Sequence, residues 1–227
     1  MESMSNRGLT LKARIVQRVV AQFGHPSGFW GQIVGWIMAS RSSNRRRNAW
    51  AVSLLNVQPR DRVLEIGFGP GIAIREMSQI AVEGYVCGLD HSARMLRQAS
   101  WRNAAAIRAG RVDLRLSSVE SLPALCAPFD KILAVNTVLF WNQAEKSLRE
   151  LRHLLRPGGR IAIAHQPRGP TATDAAAAAK GSELAEILAR AGFSDVRTEM
   201  LRLRPAVICA IGINPPEGQI LKSRIQC

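Results

Sequence analysis

The chain predicts an α/β fold: a doubly wound, mostly parallel seven-stranded sheet with one antiparallel strand, preceded by an N-terminal helical cap. Three observations carry this. From Arg60 onward, short apolar runs alternate with amphipathic stretches of helical period. The first run leads directly into a glycine-rich turn, Gly67-Phe-Gly-Pro-Gly71. The last two runs, 195–203 and 206–213, are separated by little more than Arg204-Pro205, so they read as an antiparallel pair. Repeated β–α units otherwise require right-handed crossovers, with helices on both faces of the sheet.

Each element has a local reason. Residues 1–10 read as a tail, and 11–23 as a helix with Val16, Val19, Val20 and Phe23 on one face. Gly24-His-Pro-Ser-Gly28 breaks it. Residues 29–39 are apolar on nearly every side and need burial in protein or at an interface. A third helix spans about Asn44 to Asn56 and carries Trp50, Leu54 and Leu55. Residues 1–57 therefore read as a cap, with a main domain over 58–213 that folds from about Gln58 and a tail over 214–227.

Within the main domain, strands are expected at 62–66, 85–89, Val112–Leu116, Phe129–Val135 and Arg160–Ala164. A helix follows Gly71, and Ser92 caps the helix bearing Met95 and Ala99. Asn142 and Glu145 have capping-box spacing ahead of Leu148, Leu151 and Leu155, and Pro157-Gly158-Gly159 ends that helix. Thr171–Ala179 is alanine-rich. Gly181-Ser182 is expected to interrupt it, with Ser182 capping a last helix that Gly192 stops.

Composition narrows the class. Of 227 residues, 47% are hydrophobic and 21% charged, which suits a packed core and not disorder. No run reaches the roughly 18 apolar residues of a spanning helix, and no signal peptide is evident, so the expected compartment is the cytoplasm. Cys87, Cys126, Cys209 and Cys227 have no metal-binding spacing, and three lie in apolar surroundings as reduced thiols. The net charge is +14, and residues 1–60 hold nine basic residues against one acid, Glu2. Such a surface attracts nucleic acid, anionic lipid or an anionic substrate.

The chemistry lies after the first strand. In Glu65-x-Gly67-x-Gly69-x-Gly71, three residues lack Cβ, so backbone can bend sharply and approach a ligand. Asp90 closes the second strand, where a carboxylate can accept both hydroxyls of a ribose. A dinucleotide-binding loop is the rival, but its final x-x-G spacing is missing. Taken together, these residues resemble the class I S-adenosylmethionine-dependent methyltransferase family over about 58–213.

The resemblance implies a Rossmann-like sheet with S-adenosyl-L-methionine as cofactor. It implies methyl transfer by in-line displacement. It assigns Glu65, Gly67, Gly69 and Gly71 to the donor's methionine end, Asp90 to its ribose, and the neighbourhood of His91, Met95, Ser118 and Val119 to its adenosine. Ser118 stands where the family often has an acidic residue, so the adenine contact falls to a hydroxyl. Asn136 is the last of the cofactor-binding residues that the resemblance implies, and it opens the segment where methyl and acceptor meet. The family's exocyclic-amine turn, cytosine nucleophile and paired arginine-gripping glutamates have no counterpart here.

Trp30, Trp50, Phe140 and Trp141 are then the candidate substrate pocket, suited to an apolar body or a cation–π contact. His165, at the end of the fifth strand, is the candidate general base, titrating near the ordinary histidine value of about 6.5. The expected function is methylation of a small, apolar-bodied molecule. The alternatives are an RNA or protein methyltransferase using the basic surface, and an inactive cofactor-binding subunit. The cap also offers a transient membrane-surface contact through Arg41 and Arg45–Arg47.

Overall fold

The computed structural model describes residues 42–125, 128–168 and 171–216. The helices expected at 11–23 and 29–39, Trp30, and most of the C-terminal tail lie outside the described residues. In chain order the elements are α1 (Ser42–Leu55), β1 (Arg62–Ile66), α2 (Ile72–Ile80), β2 (Tyr85–Asp90), α3 (Ala93–Arg102) and α4 (Ala104–Arg108). There follow β3 (Val112–Leu116), β4 (Phe129–Val135), a 3-10 turn (Val138–Phe140), α5 (Ala144–Leu154), β5 (Leu155–His165), α6 (Asp174–Arg190), β6 (Ser194–Leu201) and β7 (Val207–Ile213).

The seven strands lie in the order β3-β2-β1-β4-β5-β7-β6. Strands β1 to β5 pair in parallel, and β7 runs antiparallel between β5 and β6. Successive residues of each central strand point to opposite faces, so β1 sends Val63 to one core and Leu64 and Ile66 to the other. The first core joins α1, α2, α3 and α4 to the sheet, and the second joins α5 and α6. Because both faces are covered, the central strands read as continuous apolar runs.

Four local expectations change. The Asn142–Glu145 capping box does not form. Glu120 accepts the Asn142 N–H at 2.7 Å, and Glu145 pairs with Arg149 and Arg190 instead. That helix ends at Leu154, before Pro157-Gly158-Gly159, and the prolyl-glycyl run lies within β5. Gly181 does not break its helix, and Ser182 caps nothing, since α6 is continuous with Thr173 accepting the Ala176 N–H at its start. A Cβ at Gly181 would lie 2.4 Å from Ile208, so the glycine is there to let α6 press onto β7. The fourth change concerns α1. It packs against α2, β4, β5 and β7 as part of the first core, with Ala51, Val52 and Leu55 no more than 2% exposed. Cys87 and Cys209 are buried thiols, and Cys126 and Cys227 lie outside the described residues. Among the described residues no helix is long and apolar enough to cross a membrane.

Losing α1 would therefore expose the sheet. Full burial of a Val or Leu side chain stabilises by ~1.5–3 kcal/mol, against a net stability of about 5–15 kcal/mol for a whole domain. A chain beginning at Gln58 is expected to lose cooperative thermal unfolding, whereas one beginning at Ser42 keeps it. Paired melting curves followed by circular dichroism decide the point, and a sharp transition in the Gln58 chain would count against α1 as core.

Candidate functional site

The carboxyl ends of β2, β1, β4 and β5 stand side by side, and the candidate residues gather along that edge. The turn after β1 is held by Gly67 N–H donating to the Leu89 carbonyl at 2.7 Å and Gly71 N–H to Phe68 at 3.0 Å. Gly67 has φ +72, and a Cβ there would lie 2.2 Å from Thr137 Cγ2. Both the dihedral and the space exclude a side chain. Thr137 is itself fixed, its hydroxyl donating to the Ile66 carbonyl at 3.1 Å. At Gly69 the situation differs, because a Cβ would meet nothing within 4 Å. That open side of the loop is room for a ligand. Gly71 closes the turn against Ala99 and Asn103.

Asp90 is 6% exposed and fixed at both oxygens. Oδ2 accepts the Gly69 N–H at 2.8 Å and Oδ1 the Ser92 N–H at 2.9 Å. Burial raises its pKa, and these two N–H groups with His91 oppose the rise. Each carboxylate oxygen keeps acceptor capacity for a hydroxyl donor. Glu65 is 1% exposed, and among the described residues its Oε2 has no partner. Burial, then the neighbouring Asp90, push its pKa well above the carboxylate range, with the Ile74 N–H opposing. A buried acid with an open oxygen beside a loop with an open face is a place built for a polar group from outside.

The other predicted residues lie around this edge. The His91 side chain is exposed, with Nδ1 3.9 Å from Asp90 Oδ1. Met95 is half-buried on α3 and packs against the first core. Ser118 is half-buried and its carbonyl accepts the Ser121 N–H, while the Val119 side chain is buried in the second core. Asn136 follows β4 with φ +58, and its Oδ1 accepts the Gln166 N–H at 2.8 Å. Its Nδ2 has no partner. Phe140 is 60% exposed, and Trp141 is half-buried against the second core.

His165 is 5% exposed at the end of β5, and its Nδ1 has no partner. Burial, then the cations Lys180, Arg168 and Arg47, push its imidazole down to about 4. The expected titration near 6.5 is thus corrected: this imidazole is neutral across the ordinary pH range. Trp50 lies about one helical turn beyond Arg47 and packs against the first core, below the carboxyl edge. The residue that α1 does bring to the edge is one the sequence reading missed. Arg47 is buried, while Arg45 and Arg46 remain exposed, so the run read as a headgroup patch loses its third member. Helical spacing with Ala51 and Leu55 marks Arg47 as inward-facing; the charge run hid it.

A family model described as a methyltransferase domain matches residues 63–159. The uncharacterized methyltransferase YdaC of Bacillus subtilis is 30% identical over 184 residues, spanning 81% of this chain and 98% of its own. The chain belongs to the class I S-adenosylmethionine-dependent methyltransferases. It is also 27% identical over 125 residues to a ubiquinone/menaquinone biosynthesis C-methyltransferase of Geotalea daltonii, covering 53% of this chain and about half (52%) of that one. In fold it resembles the crystal structure of an S-adenosylmethionine-dependent methyltransferase from Aquifex aeolicus. The TM-score is 0.58 and the identity 19%, with 73% of this chain and 88% of that one covered.

The enzyme uses S-adenosylmethionine, and its residues fit that group. The donor is a cation bearing a ribose, and the site presents two buried carboxyl groups, one with an unpartnered oxygen, beside the open face at Gly69.

Two pH effects of opposite sign follow for the cofactor-free protein. Glu65 holds its proton more tightly folded than unfolded, so its contribution is largest below the ordinary Glu range and is lost as pH rises. Glu65→Gln removes that loss and is expected to raise the melting temperature at pH 7–8, by a few degrees, while weakening donor binding. For His165 the folded imidazole resists protonation until about 4, whereas the unfolded one accepts a proton below about 6.5. Stability is then lost as pH falls from 6.5 towards 4, and His165→Gln flattens that limb. Melting temperatures of the three proteins from pH 4 to 8 test both signs.

Proposed function

We propose that this methyltransferase acts on a small, apolar-bodied acceptor, with donor and acceptor meeting along the carboxyl edge between β1 and β5. The observation that carries this reading is the fixed Asp90, held by Gly69 and Ser92 N–H groups beside the open face of the glycine turn. Glu65, Gly67, Gly69 and Gly71 take the methionine end of the donor, Asp90 its ribose, and His91, Met95, Ser118 and Val119 surround its adenosine. Asn136, Phe140 and Trp141 face the acceptor. Trp50, lower on α1, is left to the core.

When bound, S-adenosylmethionine supplies a methyl carbon already activated by its sulfonium. The chain's task is then alignment, which can supply about 7–11 kcal/mol of barrier reduction in favourable cases. Asp90 orients one half, and the exposed Phe140 with the half-buried Trp141 offers apolar contact to the other. With its imidazole pushed down to about 4, His165 is neutral but takes a proton only weakly, so it serves as a neutral wall of the site and not as a strong base. The C-methyltransferase of quinone biosynthesis supports an acceptor of small-molecule size. An RNA acceptor would draw on Arg75, Arg102 and Arg111, which line a cleft of about 450 Å³ beside the start of β3.

Calorimetry with S-adenosylmethionine tests the donor half. Asp90→Ala is expected to weaken binding by about 1.5–3 kcal/mol, since it removes a charge-assisted acceptor. Unchanged affinity in that variant would remove Asp90 from the donor site. A labelled-donor screen of small molecules against RNA tests the acceptor half, and label on RNA at physiological salt would overturn the small-molecule reading.

A further inference from the structure

Arg47 raises a question that the donor site does not answer. It is 5% exposed, yet among the described residues the groups that take its Nη hydrogens are two neutral amides: Gln166 Oε1 from Nη1 at 2.9 Å, and Asn44 Oδ1 from Nη2. Among those residues its Nε has no partner. Among the described residues no carboxylate forms an ion pair with it, and the charge nearest in effect is another cation, Arg168. Beyond the described residues, the chain's acids are Glu2, Glu217 and the terminal carboxylate. A buried cation without a counter-charge costs several kcal/mol, and neutral acceptors offset only part of that.

The position gives the charge a use. Gln166 directly follows β5, and its N–H donates to Asn136 Oδ1, so Arg47 is one contact removed from the end of β4. Arg47, Arg168 and Lys180 all act on His165, and the acid there, Glu183, is held by Lys180 at 2.5 Å. Lys180 is thus paired and Arg168 exposed, so the buried charge at this end of the edge is the Arg47 cation, while the β1–β2 end carries the buried Glu65 and Asp90. An arriving carboxylate or phosphate would give the guanidinium a counter-charge and a bidentate partner, which the neutral amides do not supply.

We propose that Arg47 receives an oxyanion, a carboxylate or phosphate group, carried by the methyl acceptor, with Gln166 and Asn44 orienting the guanidinium until it arrives. This rests on the small-acceptor reading and narrows it to an apolar body with an anionic end. Arg47 is then a specificity residue of the acceptor site. The competing role is a strut that ties α1 to the end of β5.

The test uses the full chain and three probes: benzoate, phenyl phosphate and neutral benzamide. The arginine Nε–H resonance that disappears in Arg47→Lys is followed during each titration, in the presence of S-adenosylhomocysteine. Saturable movement with benzoate or phenyl phosphate, but not benzamide, is expected, and the tighter of the two identifies the oxyanion. In calorimetry, Arg47→Gln should weaken that probe about 10–100-fold while leaving S-adenosylhomocysteine affinity nearly unchanged. An unmoved resonance, equal movement with benzamide, or undiminished probe binding in Arg47→Gln would leave Arg47 a strut. Movement of the resonance in Glu217→Gln without any probe would show an internal counter-charge and also overturn the proposal. The resonance titration needs only the native chain, so a poorly folding variant does not blunt it. Calorimetry with S-adenosylhomocysteine alone reads the donor half separately, so failure there is distinct from failure at Arg47.

Discussion

The candidate site depends on a carboxylate that accepts two backbone N–H groups from different segments. Asp90 draws Gly69 of the β1 turn and Ser92 of the α3 start onto one side chain. Without it, the outer half of the glycine turn would lose the hydrogen bond at Gly69, on whose open side a Cβ would meet nothing within 4 Å. The inner half is fixed differently, by Thr137 packed where a Gly67 side chain would stand. One half of the turn is thus set by packing and the other by a charge. Parallel strands put the two carboxyl groups within electrostatic reach, since Glu65 and Asp90 belong to the adjacent strands β1 and β2.

That adjacency is unfavourable for the protein alone. Glu65 is fully enclosed, has a carboxyl neighbour and keeps an oxygen without a partner. At the other end of the same edge, Arg47 is a buried cation, with exposed Arg168 and the Glu183-paired Lys180 acting with it on a neutral histidine. Buried ionisable groups of this kind are unfavourable, and folding tolerates them where a ligand later supplies the missing partner. Two buried carboxyl groups stand where β1 and β2 end and a buried guanidinium near the end of β5, with Asn136 and Thr137 between. On the proposal for Arg47, a cationic donor and an anionic acceptor would meet these groups in that order across the strand ends.

Much of this was legible in the sequence. The limits of β1, β3 and β4 coincide with those read from the sequence: β4 carries the apolar run Ile132–Val135 of a strand buried on both faces, whereas edge strand β3 alternates Val112, Leu114 and Leu116 with Asp113 and Arg115. Ser92 caps α3 as its position implies, accepting the Met95 N–H. What escaped were contacts between segments far apart in the chain. Glu120 took the N–H of Asn142, 22 residues away, and so cancelled a local capping box. Gly181 looked like a breaker because its reason, the Ile208 side chain of β7, is invisible locally. Arg47 sat in a run of three arginines, where composition suggests solvent and only helical phase reveals burial.

The placement of α1 shows why that last oversight mattered. Its carboxyl-terminal end lies at the start of the paired part of β5, where Arg160 donates to the Leu54 carbonyl at 3.0 Å. Its amino-terminal end lies at the far end of β5, where Arg47 reaches Gln166. The helix therefore runs antiparallel to the strand, and one face must serve two purposes. Ala51, Val52 and Leu55 close the core, while Arg47, bonded to Asn44 and Gln166, reaches the edge where ligands of open α/β sheets bind. The described part of the segment read as a cap is a structural helix packed on the sheet, with Arg47 near its start turned to the end of β5. On the proposed role of Arg47, acceptor choice and stability are coupled through α1, and a substitution near its start acts on both through the same few contacts.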